Sequence, residues 1–83
     1  MAQAGVSNIQ YAGYGVWDQT IDITDAVKAA YTSKNQRVFL ANNDWGGDPS
    51  PGNRKYIYIY WQNGSQYYSG VTGEGDTRGV TIP

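Results

Sequence analysis

The side chains of this sequence that could act on a ligand are aromatic rings, amides and carboxylates. The chain contains no histidine and no cysteine, which removes the usual general base at neutral pH and the Ser–His and Cys–His nucleophile pairs. Carboxylate chemistry remains, and its candidates are Asp44, Asp48, Glu74 and Asp76. A glycosidase places two carboxylates across a cleft, and 83 residues leave little room for one. We therefore predict no catalytic residues and no enzyme.

The segment from Asn42 to Asp48 is rich in the oxygen ligands that calcium prefers, because it holds asparagines and aspartates. Its spacing does not match the EF-hand loop, which also needs a glutamate at its end. Zinc sites built on histidine or cysteine are excluded by composition. Asparagine and aspartate side chains also cap turns by bonding to the nearby backbone. We predict that the protein binds no metal and uses no cofactor.

A loop over residues 43–53 carries the first candidate binding site. Its glycines and prolines favour turns, and loops of this length in small domains are often functional. Trp45 follows Asn43 and Asp44 and precedes Asp48, with glycines between them that let a ligand approach the backbone. An indole ring can pack on the C–H face of a sugar while amides and carboxylates bind its hydroxyls. The alternative, that Trp45 belongs to the core, stays open.

The dipeptide Asn63-Gly64 is the strongest hairpin signal in the chain. A type I′ turn there needs φ > 0 at both residues, because both are central residues of the turn. A turn at this dipeptide would place Tyr60 opposite Tyr67.

Side chains alternate faces along a strand, so the hairpin sorts its residues into two faces. One face is apolar and is the predicted core: Ile57, Ile59, Trp61 and Tyr68. The other carries the second set of candidate ligand residues: Tyr56, Tyr58, Tyr60 and Tyr67. Tyrosine is apolar in its body and polar at its tip, which suits a ligand platform or a subunit interface. A second core that buries this stripe is a third interpretation, and it stays open.

Six strands must position these groups. Apolar periodicity and turn residues predict them over Val6–Tyr11, Val16–Ile23, Gln36–Asn42, 54–62, 65–72 and Thr77–Ile82. The segment Ala12–Gly15 is predicted to break the chain between the first two strands. Trp17 falls on the predicted core face of the second strand, so we expect it to be buried. Val80 and Ile82 are expected to point inward from the last strand.

One short helix near residues 25–31 completes the predicted elements. Thr24 is typical of a helix N-cap, and Asp25 places a negative charge in the first turn, where the helix dipole favours it. The apolar face at helical spacing is Val27, Ala30 and Tyr31. Isolated short helices are marginal, so packing of this face must stabilise it.

Composition predicts one compact β-rich binding domain over residues 1–83. The net charge is −1 and the six basic residues are scattered, which leaves no basic face for nucleic acid. No apolar run approaches the roughly 20 residues of a membrane span. Met1–Gly5 lacks the basic and apolar regions of a signal peptide, which predicts a cytoplasmic protein or one secreted by a non-signal route.

Four motifs in order give a resemblance to a known family: Ile9–Asp18, Ile21–Val27, Asn42–Gly52 and the strand Lys55–Trp61. The Gly-Asp-Pro-Ser-Pro-Gly element over Gly47–Gly52 is the most specific part. The order of the four motifs resembles the small domain of unknown function found at the C-terminus of one J-protein subfamily and as standalone microbial proteins. The resemblance implies a compact β-rich domain with one short helix, and it brings no catalytic residues. Separately, Asn43–Pro49 is similar to the N-x-W-G-G stretch of bacterial mannan-binding lectins, which implies sugar binding by analogy.

These observations predict a mostly-β domain, either a small β-sandwich or a rolled antiparallel sheet, with one short helix. The predicted function is non-catalytic, lectin-like carbohydrate binding through an aromatic and Asn/Asp/Gly-rich surface. The alternative is a protein-interaction or self-assembly module, in which the tyrosine stripe pairs with a protein surface or with a second copy in a homo-oligomer.

Overall fold

The computed structural model of the chain describes residues 6–83, and the signal-peptide prediction for Met1–Gly5 lies outside them. Their elements in chain order are β1 Asn8–Val16, β2 Gln19–Asp22, α1 Thr24–Ser33, β3 Val38–Phe39, β4 Tyr56–Asn63, β5 Gln66–Gly73 and β6 Val80–Thr81. A single-turn 3-10 helix, Asn43–Trp45, lies between β3 and β4. The described residues therefore form a mostly-β domain with one short helix, which confirms the predicted fold class.

The longer strands form a four-stranded antiparallel sheet in the order β2-β1-β4-β5, while β3 pairs with β6 in a two-stranded sheet. One face of the large sheet packs against α1 and the small sheet. The core between them includes Ile9, Ala12, Tyr14, Val27, Tyr31, Phe39, Ile57, Ile59, Trp61, Val80 and Ile82. Within residues 6–83, no helix or strand covers the opposite face of the large sheet.

Strand β1 runs unbroken through Ala12–Gly15, where the sequence predicted a break. Both glycines in this segment fit the strand because other groups occupy the space of their missing side chains. A Cβ added at Gly13 would lie 2.6 Å from the Tyr11 hydroxyl, and one at Gly15 would lie 2.1 Å from the Gln19 carbonyl oxygen. These glycines therefore let the Tyr11 side chain and the Gln19 backbone lie close to β1, and they do not end the strand.

The chain turns at Trp17 and Asp18, so the strand predicted over Val16–Ile23 begins only at Gln19. Trp17 has a φ of 50° in the left-handed region and is 81% exposed at the tip of the β1–β2 hairpin. The prediction that Trp17 is buried was wrong. Alternation assigns a residue to a face only inside a strand, and Trp17 lies in the turn.

The β4–β5 turn is displaced by one residue from its predicted place. Asn63 pairs with Gln66, so Gly64 and Ser65 are the central residues. Gly64 has a φ of 66°, as predicted, while Asn63 does not have a positive φ. A type II′ turn places glycine at its first central position only, which matches this arrangement. The Asn63 amide donates to the Ser7 hydroxyl at 2.9 Å, which fixes Asn63 within the strand.

The displaced turn changes cross-strand partners but leaves every side chain on its predicted face. Tyr60 lies opposite Ser69, and Tyr67 lies opposite Gln62. At the turn, β4 gains one residue and β5 loses one, so partners shift by two positions, which is one full period of the alternation. Ile57, Ile59 and Trp61 of the apolar face are buried, as predicted, whereas Tyr68, predicted on the same core face, is 46% exposed. Tyr68 stacks on Trp61 but lies on the edge strand β5, which has no further strand beside it among the described residues.

The helix extends beyond its predicted bounds, and Thr24 is its first residue instead of its cap. The N-cap position is Ile23, which has no side-chain cap, and the Asp22 carboxylate accepts from the Thr24 amide at 2.9 Å, which satisfies one free amide at the helix start. The Thr24 hydroxyl instead accepts from the Ala12 amide at 3.0 Å, which ties the helix to β1. The predicted apolar face is confirmed, since its members are buried: Val27, Ala30 and Tyr31.

Strands β3 and β6 are shorter than the predicted strands over Gln36–Asn42 and Thr77–Ile82 because they pair only with each other, over two residue pairs. The Arg37 carbonyl accepts from the Ile82 amide at 2.8 Å just beyond the paired residues. Val80 and Ile82 are buried, as predicted.

Candidate functional site

The residues predicted to bind a ligand form two groups on different elements. The first, here named the loop site, follows β3 and contains Asn43, Asp44, Trp45 and Asp48. The second lies on the uncovered face of the large sheet and contains Tyr56, Tyr58, Tyr60 and Tyr67. This second group, with Tyr11 as described below, is named the tyrosine face.

Asp48 of the loop site is part of an ion pair with a buried lysine. Its carboxylate lies 2.9 Å from the Lys55 ammonium, and the Glu74 carboxylate lies 3.4 Å from the same ammonium. The hydrogen bond from Lys55 lowers the pKa of Asp48 below its ordinary value of 3.8, and the bond to Asp48 raises the pKa of Lys55. Sequence reasoning did not find this pair, because it counted Lys55 only as one of six scattered basic residues and nothing in the local pattern marks it as buried.

Asn43 of the loop site holds a buried tyrosine. The Tyr14 hydroxyl donates to Asn43 Oδ1 at 2.7 Å and approaches Glu74 Oε2 at 3.1 Å. Burial raises the pKa of Tyr14 well above its ordinary value, and the neighbouring Glu74 carboxylate raises it further. The phenol therefore stays protonated and serves as a donor, so the Asn43 oxygen is engaged inside the fold.

Trp45 is half-buried and packs against the core. Its ring centroid lies 6.0 Å from that of Phe39, and its Nε1 donates to the Leu40 carbonyl at 2.8 Å. Beside it, a cleft of about 570 Å³ opens between the 3-10 helix and the alanines of α1, with Asp44 and Lys34 on its wall. Within the loop site, Asp44 and one edge of Trp45 are therefore the groups best placed to meet a ligand.

Tyr11 joins the tyrosine face through a β-bulge. Ile9 lies opposite Trp61 and Tyr11 lies opposite Tyr60, so Gln10 is an extra residue without a partner in β4. Simple alternation would put Ile9 and Tyr11 on the same face, yet Ile9 is buried and Tyr11 is exposed. No feature of the sequence marks this bulge, so sequence reasoning missed Tyr11.

The rings of the tyrosine face are close to one another. Tyr60 and Tyr67 stack with centroids 5.7 Å apart and planes 17° apart, and Tyr56 lies 6.4 Å from Tyr58. The Arg54 guanidinium lies 5.2 Å above the Tyr56 ring at one end of the row. The face is thus a continuous aromatic surface with a cation at one end.

A shallow groove of about 310 Å³ crosses the tyrosine face. Its lining includes Tyr11 on β1, Tyr58 and Tyr60 on β4, and Ser69 and Val71 on β5. Among residues 6–83, no hydrogen-bond partner is found for the hydroxyls of these three tyrosines. The groove therefore combines apolar ring surfaces with hydroxyl groups that are available to a ligand.

Neither candidate surface contains a preformed metal cluster. In the part of the chain that the structure describes, no three acidic side chains come together closely enough to hold a metal ion. The same residues include no helix that is both long and apolar enough to cross a bilayer. The absence of a cofactor and of catalysis stays a prediction.

Comparison of the chain with protein-family models, with curated proteins and with solved structures found no match. The similarity to the J-protein tail domain therefore stays a prediction, as does the local similarity of Asn43–Pro49 to mannan-binding lectins. Function has to be argued from the two candidate surfaces themselves.

Proposed function

We propose that this protein is a non-catalytic carbohydrate-binding module whose ligand surface is the tyrosine face. The observation that carries the proposal is the uncovered row of Tyr56, Tyr58 and Tyr60 along β4, with Tyr11 and Tyr67 beside it. Side chains two residues apart on a strand are separated by about 6.8 Å. An extended, flat ligand can therefore contact several of these rings at once.

The chemistry of the face favours a sugar chain. Phenol rings pack against the C–H faces of pyranose rings, which removes apolar surface from water. The tyrosine hydroxyls, the Ser69 hydroxyl and the Gln62 amide can exchange hydrogen bonds with the sugar hydroxyls. The groove itself is uncharged, since its lining side chains are tyrosine, serine and valine. A neutral glycan therefore fits this surface better than a phosphate-bearing ligand.

The proposal places the centre of binding on the tyrosine face and not at the loop site. Asn43 already binds Tyr14, and Asp48 already binds Lys55. A ligand that recruited either group would compete with a buried partner, Tyr14 or Lys55, for that oxygen and make the partner depend on Glu74. The cleft beside Trp45 and Asp44 is then a secondary candidate for sugar binding.

Self-assembly through the same face is the second candidate function. Tyr60 and Tyr67 form a stacked pair that is about half exposed, and tyrosine is enriched at protein interfaces. Two tyrosine faces packed against each other would bury these rings. The two functions differ in ligand, so one set of variants separates them.

The test measures glycan binding on an array and on insoluble polysaccharides, each with a soluble sugar competitor. The matched variants are Tyr60→Ala and Tyr68→Ala, because these tyrosines are 43% and 46% exposed on opposite faces of the sheet. Each also stacks on one aromatic neighbour. We expect Tyr60→Ala to weaken binding at least about fivefold, or roughly 1 kcal/mol, while Tyr68→Ala matches the parent.

Two results would overturn carbohydrate binding. One is a parent protein that binds no glycan above the level of an unrelated small domain. The other is equal glycan binding by Tyr60→Ala and the parent. If Tyr60→Ala instead lowers only the sedimentation coefficient, the self-assembly function takes its place.

A further inference from the structure

We propose that two copies of this chain pair through the free edge of β5, joining their large sheets into one continuous antiparallel sheet. Strand β5 is the last strand of the sheet and pairs only with β4 among the described residues. The opposite edge strand, β2, has four residues, whereas β5 has eight. A long unpaired edge is a template for another strand.

The edge of β5 has none of the features that usually prevent such pairing. Its residues, Gln66–Gly73, include no charge and no proline. Natural edge strands are commonly protected by lysine, proline, bulges or short length. The bulge of this sheet lies in β1, and the β4–β5 register is regular over its whole length. The edge is therefore open to a partner strand.

The backbone groups that point outward follow from the hairpin. Asn63 and Gln66 flank a two-residue turn, so they form a hydrogen-bonded pair, and bonded and non-bonded pairs alternate from there. The amides and carbonyls of Tyr67, Ser69 and Val71 consequently face away from β4. A second β5 strand can meet all of them with about six backbone hydrogen bonds.

The side chains fit a second copy in one register, centred on Ser69. A two-fold axis through Ser69 places Tyr67 of each copy opposite Val71 of the other, on the same face of the sheet. These are the two most exposed apolar side chains of β5, at 56% and 59%. Aromatic and β-branched residues are a favourable cross-strand pair. On the other face, Tyr68 lies opposite Gly70, and Val80 fills the space that a side chain at Gly70 would take.

This register makes the strand self-complementary, and that is why the partner is a second copy and not an unrelated peptide. The same two-fold axis keeps both tyrosine faces on one side of the joined sheet. The dimer contact uses the edge of β5, whereas the self-assembly considered above uses the face of β4. It also does not depend on carbohydrate binding.

The first experiment is sedimentation over a range of protein concentrations. Ser69→Pro removes one outward amide donor per copy without touching the bonds to β4, and Ser69→Ala is its matched control. We expect the parent and Ser69→Ala to form dimers, and Ser69→Pro to dimerise at least about tenfold more weakly. Val71→Lys gives an independent check, because it places a charge opposite Tyr67 of the other copy at a site that is exposed in one chain, and we expect it to weaken the dimer as well. Circular dichroism establishes that each variant is folded.

The second experiment uses single cysteines, since the chain has none of its own. In the proposed register, Ser69→Cys faces its own copy within disulfide reach, whereas Val71→Cys faces Tyr67. We expect rapid oxidation of Ser69→Cys to a covalent dimer and slow oxidation of Val71→Cys. A parent that stays monomeric at every concentration, or equal oxidation rates for the two cysteines, would overturn the proposal.

Discussion

The Lys55 ammonium and the Asp48 carboxylate lie 2.9 Å apart where the long loop joins β4. Lys55 is only 5% exposed, so its charge has been largely removed from water and needs a partner. The Ser50 carbonyl also accepts from Lys55, at 3.4 Å, and the Ser50 hydroxyl donates to Gln19 at 2.7 Å. These contacts fasten the loop to the sheet.

Asp48→Asn is expected to destabilise the protein more than Lys55→Met does. The first change leaves a buried ammonium without its nearer carboxylate and with only Glu74 at 3.4 Å, whereas the second removes the buried charge and leaves Asp48 partly hydrated. The melting temperatures of the two variants show which change destabilises the protein more. Asp44→Asn, in the same loop, is the matched control and should melt with the parent. The opposite order for the two changes would show that the ion pair does not anchor the loop.

Stability should fall in acid, in part through Asp48 and Glu74. Bonds from Lys55 lower the pKa of both carboxyls in the folded state, from ordinary values of 3.8 and 4.5. The unfolded chain then binds more protons, so their stabilising contribution is complete above about pH 5 and is lost as the pH falls below about 4. Hydrogen bonds with Thr24 and Arg78 also lower the pKa values of Asp22 and Asp76. Protonation of these two carboxyls therefore reduces stability in acid as well.

A pH series of thermal melts checks this contribution. The double variant Asp48→Asn/Glu74→Gln should lose less of its melting temperature between neutral and acid pH than the parent does. Identical pH profiles for the parent and the double variant would contradict the linkage to these two carboxyls.

Gly64→Val should destabilise the protein by more than about 1 kcal/mol, because a β-branched residue cannot adopt a φ of 66° without strain. Ser65→Ala should change stability by less than about 0.5 kcal/mol, since Ser65 is exposed and needs no positive φ. Urea unfolding of the two variants measures both. A larger loss for Ser65→Ala than for Gly64→Val would contradict the turn position.

Trp45→Ala and Trp17→Ala should differ in stability although both replace a tryptophan by alanine. Trp45 packs on Phe39 and binds the Leu40 carbonyl, so its truncation should cost about 2–3 kcal/mol, somewhat less than a fully buried aromatic. Trp17 is exposed at a hairpin tip, and its truncation should stay within about 0.5 kcal/mol. Denaturant unfolding compares them. Equal effects would mean that Trp45 does not contribute to the core.

Tyr60→Phe should retain most of the glycan affinity that Tyr60→Ala loses. The phenylalanine keeps the stacking surface and removes only one hydroxyl, which is worth about 0.5–1.5 kcal/mol when hydrogen-bonded. Titration of both variants with the glycan that binds best on the array measures how much of the affinity comes from ring stacking and how much from the hydroxyl. If Tyr60→Phe loses as much as Tyr60→Ala, hydroxyl bonding and not ring stacking dominates.

Local patterns predicted the parts of the fold that depend on short-range periodicity. The helical face of Val27 and Tyr31 followed from residue spacing, and the buried face of Ile57 and Ile59 followed from alternation. Four of the five tyrosines of β4 and β5 share a face for the same reason, so this part of the candidate site was predictable. The face of each side chain of this hairpin was predicted correctly even though the turn is displaced, because the cross-strand partners shift by two residues and side chains repeat their face every two residues.

The parts of the fold and of the candidate site that were not predicted depend on contacts between residues far apart in the sequence. The bulge at Gln10 arises from pairing with β4 about 50 positions away, and periodicity within β1 does not encode such a partner. The engagement of Asp48 likewise depends on Lys55 and Glu74 meeting across the end of the sheet. A sequence shows that an aspartate can bind a ligand, but not that the fold has already used it.

The bulge at Gln10 also makes the surface tolerant of a change in chain length. Before the bulge the odd-numbered residue Ile9 faces the core, and after it the even-numbered residue Ala12 does. The bulge therefore exchanges the positions that point inward. Deleting Gln10 would merge the two parts into one regular strand while Tyr11 still faced outward. A chain shorter by this one residue would present the same aromatic surface, so this deletion is silent at the ligand side.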